Sequence, residues 1–166
     1  MIKLKSPAEI EKLRAAALVV SRTLGMLAKE IKPGVKPVDL DRKAEEYILS
    51  QGAKPGFKGL YGCPSTLLIS KNETVVHGLP TDIPLAEGDV VSIDCGSILD
   101  GYYGDHAYTF EVGAVDPEVK QLLKVTKESL YLGIEAFRAG NRLGDIGHAI
   151  QHHAEKHGYG VVRELV

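Results

Sequence analysis

The chain has 166 residues, 44% of them hydrophobic and 25% charged, with a formal net charge of -2. That length and balance suit one ordinary soluble domain with a real core and exclude a disordered segment. A sequence pI near 6.3 shows no global bias toward polyanions, so nucleic acid is not an expected partner. The longest apolar run, residues 15–20, is too short to span a bilayer, so no membrane is expected either. Cys63 and Cys95 are the only cysteines. Their spacing fits neither a disulfide framework nor a zinc knuckle, and residues 1–5 lack the apolar core of a signal peptide. Together these point to a reducing cytoplasm.

In chain order, Ser6-Pro7-Ala8-Glu9 reads as a capping box with proline at the first helical position. Ile10, Leu13, Ala17, Val20, Leu24, Leu27 and Ile31 then form one apolar stripe, predicting a helix that ends at Pro33-Gly34. A second helix is expected from Pro37, with Asp39 and Asp41 favouring its first turn; it buries Leu40, Ala44 and Ile48 and stops at Gly52. Residues 54–62 are glycine-rich loop. Residues 66–76 read as two short strands or one bent one, closed by His77-Gly78-Leu79-Pro80.

Residues 89–98, the turn Asp100-Gly101 and residues 102–112 carry the strongest short-range signal for a β-hairpin. A third helix is capped by Asp116, begins at Pro117, presents Val119, Leu122, Leu123, Leu130, Ile134 and Phe137 on one face, and ends by Gly140. A fourth runs from about Leu143 to His157, and residues 159–166 read as a strand. Two helices then strands, followed by two helices and the start of a strand, is compatible with a duplicated α/β unit whose second copy is incomplete. The whole of 1–166 is nevertheless expected to form a single truncated domain.

The hairpin holds the most informative pair. With a two-residue turn at Asp100-Gly101, opposed residues have numbers summing to 201, so Asp94 faces Ala107 and Asp105 faces Gly96. Asp94 and Asp105 then share a sheet face as diagonal neighbours, roughly 7 to 8 Å apart between the backbones of the two strands. Two carboxylates converging on a largely apolar face repel one another unless a cation lies between them, and a divalent metal is the usual solution. Two solvated acids are the commoner outcome for such a pair, and a dyad sharing a proton is a third reading.

His77, beside a glycine at a strand end, is placed either to line a cleft or to serve the structure. On the fourth helix, His148, His152, His153 and His157 form two pairs at the spacing that lets histidines share a metal, without the glutamate of a zinc-peptidase helix. Packed and solvated histidines are the commoner outcome for such a pattern, with adventitious nickel or zinc binding beside it.

The runs Asn72-Glu73-Thr74-Val75-Val76-His77-Gly78-Leu79-Pro80, Gly88 to Asp94 and Asp100-Gly101-Tyr102-Tyr103-Gly104-Asp105 occur in the order found in type I methionine aminopeptidases. The resemblance extends from Glu9-Ile10 to Val161-Val162-Arg163-Glu164. It implies the α/β pita-bread fold and a metal-dependent enzyme that removes the N-terminal methionine of nascent polypeptides. The ribosome is a further expected partner. Asp94 and Asp105 would be metal ligands, with Asp105 bridging two divalent ions of the Co, Mn, Fe or Zn class. His77 would touch substrate, and Phe57, Cys63 and Leu68 would lie near the pocket for the methionine side chain, although relatives commonly carry an aromatic residue where Cys63 stands. The family's histidine and glutamate ligands and its general base follow a segment like Val162-Arg163-Glu164. The expectation is therefore a site incomplete within these residues, a chain that binds metal weakly and is inactive alone, with no catalytic residue assigned. A non-catalytic peptide- or protein-binding module of the same fold is the alternative.

Overall fold

A computed structural model describes residues 3–163. Helix α1 spans Pro7–Leu27 and α2 spans Pro37–Ser50. The short strand β1, Lys54–Pro55, leads through a turn of 3-10 helix at Leu60–Gly62 to β2, Leu67–Lys71. Strands β3, Val90–Leu99, and β4, Tyr102–Glu111, form the hairpin; α3, Pro117–Ala136, and α4, Leu143–Lys156, follow. These elements group into two compact units, Met1–Val115 and Asp116–Val166.

The first unit is an antiparallel sheet covered by two helices. Strand β3 is its centre, with β4 along one edge and β1 and β2 end to end along the other. Alternate residues of β3 explain the layering: Val91, Ile93, Cys95 and Ser97 are fully buried. The first three join Val20, Leu24 and Leu27 of α1 and Leu40, Ala44 and Ile48 of α2 in one apolar core. The α1 backbone crosses the hairpin closely. A Cβ at Gly104 would lie 2.5 Å from the Ala16 carbonyl oxygen, and the Ser97 hydroxyl donates to that same oxygen at 3.1 Å. Only glycine permits this approach.

The ends of the elements follow the local chemistry of the sequence. The Ser6 hydroxyl accepts from the Glu9 amide at 3.3 Å and the Glu9 carboxylate accepts from the Ser6 amide at 2.8 Å, completing the capping box. Asp100 and Gly101 have φ of 50° and 80°, the left-handed pair that a type I′ hairpin turn requires.

Several expectations need correction. Helix α1 ends at Leu27, and its buried face is Ala16, Val19, Val20, Thr23, Leu24 and Leu27. Ile10 is 44% exposed and Ala17 is exposed, because the helix is turned so that Ala16, beside the stripe, meets the hairpin at Gly104 and Ser97. Asp41 does not serve its own helix's first turn. Its Oδ1 accepts from the amides of Thr66 and Leu67 at 3.0 and 2.7 Å, tying α2 to the start of β2. Within residues 66–76 only β2 is a strand, and residues 159–163 form none. The rest of the expected last strand, 164–166, lies outside the described residues.

The second unit is a helical hairpin. Asp116 Oδ1 caps α3 by accepting from the Glu118 amide at 2.8 Å. The seam of α3 is made by Val125, Ser129 and Gly133, the last lying against the Ile150 side chain. The expected apolar face is instead largely exposed, with Leu130 at 52% and Phe137 at 77%. Small residues at four-residue spacing let the two helices approach, and closeness there displaces the larger side chains outward.

Candidate metal centre

The face of the sheet opposite the helices carries Ser92, Asp94, Gly96 and Ile98 from β3. The observed register pairs Asp94 with Ala107 and Gly96 with Asp105, the pairing that a two-residue turn dictates. On the other side of β3, Leu68 is opposite Asp94. Opposed residues share a face, so Leu68, Asp94, Ala107, Gly96 and Asp105 form one patch. A side chain at Gly96 would run into the Phe57 ring, with its Cβ 2.7 Å from Cε1. The bare pleat at Gly96 is the seat of Phe57, beside Asp94 along the strand.

Asp94 is half-buried and Asp105 exposed. The Asp94 Oδ1 atom is fully buried and has no hydrogen-bond partner, a costly state for a carboxylate oxygen. Burial, followed by the charge of Asp105 and a hydrogen bond to it, pushes the Asp94 carboxyl up to about 6. The Cys95 amide and the charge of His77 pull the other way. Asp94 therefore holds a proton more readily than an isolated carboxylate does. Cys95, on the opposite face, has its thiol pushed up to about 12 by burial and then by the charge of Asp94. It is a packing residue with no nucleophilic character.

His77 is exposed and left-handed, with φ of 58°. Its neighbour explains that conformation. The Gly78 carbonyl accepts from the Ile69 amide at 2.7 Å and the Gly78 amide donates to the Ser70 hydroxyl at 3.1 Å, so this segment lies along the free edge of β2. A Cβ on Gly78 would collide with the Ile69 carbonyl oxygen. Ser70 and Gly78 thus set where the His77 backbone turns, within electrostatic reach of Asp94. Cys63 is half-buried in the loop before β2, its sulfur 3.5 Å from the Ser65 carbonyl oxygen and 3.7 Å from the Ser65 hydroxyl.

One supporting cluster was missed in the sequence. Asp89 accepts from the Ala86 amide at 2.8 Å and from the Asn72 side chain at 2.9 Å, and Lys71 lies 3.3 Å away. Asn72 returns its carbonyl to the Val90 amide at 2.9 Å. Burial pushes the Asp89 carboxyl up, but the Ala86, Asn72 and Lys71 contacts outweigh it and hold it below the ordinary carboxylate range. This clamp pins the end of β2 to the start of β3 and so fixes the register that sets Leu68 against Asp94. Asn72 is left-handed, with φ of 51°, and an asparagine directly after an aliphatic run, a residue that tolerates that conformation, was the available signal.

A divalent cation suits the two carboxylates: it supplies the missing partner for the buried Asp94 oxygen and offsets the repulsion between Asp94 and Asp105. Among the described residues, no three His, Cys, Asp or Glu side chains converge as a metal-binding group. The donor set seen is these two carboxylates.

A sheet face with paired carboxylates beside a phenylalanine and a leucine suits a metalloenzyme framework, and comparison with known proteins specifies which. The profile of metallopeptidase family M24 matches residues 11–166, and the chain belongs to that family. Within it the similarity is to methionine aminopeptidases. The relative from Clostridium acetobutylicum is 50% identical over 167 residues, covering 100% of this chain and 67% of its own. The crystal structure of the Rickettsia prowazekii methionine aminopeptidase has a TM-score of 0.97 and 41% identity over 99% of this chain and 66% of that one. The Thermotoga maritima enzyme gives 0.96 and 41%, over 100% and 67%. The fold is thus the pita-bread arrangement of these enzymes, and the chain spans about two thirds of the length of the relatives it matches.

Proposed function

We propose that this sequence serves the metal-dependent removal of methionine from the N-termini of nascent polypeptides in the cytoplasm, with the ribosome as the site of encounter. Asp94 and Asp105 would hold the divalent metal, with Asp105 placed to be shared if two ions bind. His77 contacts the substrate, and Phe57, Leu68 and Cys63 border the space for the methionine side chain. Membership of a metallopeptidase family makes divalent metal the expected cofactor, and when bound it supplies Lewis-acid polarisation of the first peptide carbonyl and an acidified water.

The chain's own groups prepare that chemistry. Asp94 and Asp105 offer oxygens from adjacent strands whose spacing the hairpin fixes. Phe57 and Leu68 flank them with apolar surface, excluding water from one side of the carboxylates and giving an unbranched thioether side chain somewhere to lie. His77 offers ring nitrogens at the rim, where a hydrogen bond to the peptide backbone of a bound N-terminus would orient the scissile bond.

The observation that carries this reading is the buried, partnerless oxygen of Asp94 beside Asp105. With only two carboxylates among the described ligands, the 166-residue chain should bind Mn2+ or Co2+ weakly. Calorimetric titration with Mn2+ is expected to show binding that Asp94→Asn or Asp105→Asn abolishes. Unchanged binding in both variants would assign the metal elsewhere. Turnover of a Met-Gly peptide is expected from a polypeptide of the relatives' full length, and to be lost with the same substitutions.

A further inference from the structure

Away from the carboxylate pair, metal-binding side chains gather on α4. Four of the chain's six histidines lie on it or on its cap residue, in two pairs of different character. In the pair His153 and His157, ring nitrogens are already engaged. His153 Nε2 is 3.1 Å from Glu128 Oε2, and His157 Nδ1 is 2.9 Å from the His153 carbonyl oxygen. The pair His148 and His152 is exposed, and its rings lie 5.7 Å apart and within 17° of parallel. Among the described residues neither ring has a hydrogen-bond or ion-pair partner, only the other ring.

We propose that His148 and His152 form a two-imidazole surface site for a borderline transition-metal cation, Ni2+, Cu2+ or Zn2+. One helix carries both ligands at the four-residue spacing that places side chains on the same face, so little conformational freedom is lost on binding. Metal–imidazole bonds of about 2.0–2.1 Å put two rings on one ion roughly 5 Å apart between centres. Rings standing at 5.7 Å reach that arrangement by small side-chain rotations. No carboxylate needs to move, and water completes the coordination.

Ligand chemistry separates this site from the sheet face. Imidazole alone favours copper, nickel and zinc, whereas a carboxylate pair also accepts the harder Mn2+ and Mg2+. The two sites also lie in different compact units, so each can be removed without disturbing the other. A consequence is that the metal content of the purified chain counts two kinds of ion.

The test is titration with NiCl2, followed by calorimetry, on the 166-residue chain carrying Asp94→Asn and Asp105→Asn, with circular dichroism to check the fold. One Ni2+ is expected to bind. His148→Gln and His152→Gln, each separately, should weaken it by roughly tenfold or more, since each removes one arm of a chelate. His153→Gln and His157→Gln should leave it unchanged. Absence of Ni2+ binding, binding indifferent to His148→Gln and His152→Gln, or loss on His153→Gln or His157→Gln would overturn the proposal. Because the carboxylates are neutralised throughout, failure here leaves the role of Asp94 and Asp105 standing.

Discussion

The two compact units use apolar residues in opposite ways. In the first, α1 and α2 press Leu24, Leu27, Leu40 and Ile48 onto the sheet, and all four are essentially inaccessible. In the second, α3 and α4 meet along Val125, Ser129 and Gly133, α4 has no fully buried residue, and Leu130, Ile134 and Phe137 remain exposed. The helices of both units carry clear apolar periodicity, so periodicity alone does not measure burial. A stripe becomes core only where a second layer meets it, and a sheet offers a broader second layer than one helix does.

The largest expected effect sharpens that contrast. Leu40→Ala should cost about 2–5 kcal/mol, the usual range for emptying a packed site, whereas Leu130→Ala should stay within about 0.5 kcal/mol. Urea denaturation of both variants, read by circular dichroism, checks the pair. Equal losses would mean that α3 is packed as α1 and α2 are.

A smaller effect is expected at the Asp89 clamp, where Asp89→Asn should cost about 1–3 kcal/mol by weakening charged hydrogen bonds in a buried position. The sign with pH follows from its lowered carboxyl. The stability it contributes is full above the ordinary carboxylate range and is lost as pH falls through the folded-state value. Acid titration of thermal stability should show the wild-type falling more steeply than Asp89→Asn.

The smallest effect runs in the opposite direction. The folded-state value of Asp94, about 6, is above its ordinary 3.8. Its stabilising contribution is therefore full below about pH 4 and is lost as pH rises through 6. In metal-free buffer, Asp94→Asn should flatten the stability profile between those pH values and leave the variant slightly more stable at pH 7, with Mn2+ raising the wild-type alone. Melting temperatures at pH 4, 6 and 7.5, with and without Mn2+, decide it.

The sequence made legible whatever depends on neighbours along the chain. Ser6 with Glu9, Pro37, and Asp116 with Pro117 marked helix starts that the structure shares, and Asp100-Gly101 gave the hairpin register and the shared face of Asp94 and Asp105. What it concealed depends on residues far apart. The face of α1 that is buried was decided by where Gly104 and Ser97 admit it. Asp41 serves the start of β2 instead of its own helix because Thr66 and Leu67, far along the chain, present their amides to it. The Phe57 ring over Gly96 was likewise invisible, since nothing local tells a glycine in a strand which side chain will fill its missing volume.

The hairpin turn carries one last implication. Asp100 and Gly101 are exposed at the tip of the hairpin, a setting that normally marks a loop tolerant of insertion. Here the turn acts as a length gauge. One extra residue would shift the count along β4 by one and send the Asp105 side chain through to the helix side, separating it from Asp94. A scan of insertions and deletions along the chain would therefore find this exposed tip as intolerant as the core, while substitutions that keep its two left-handed residues pass unnoticed.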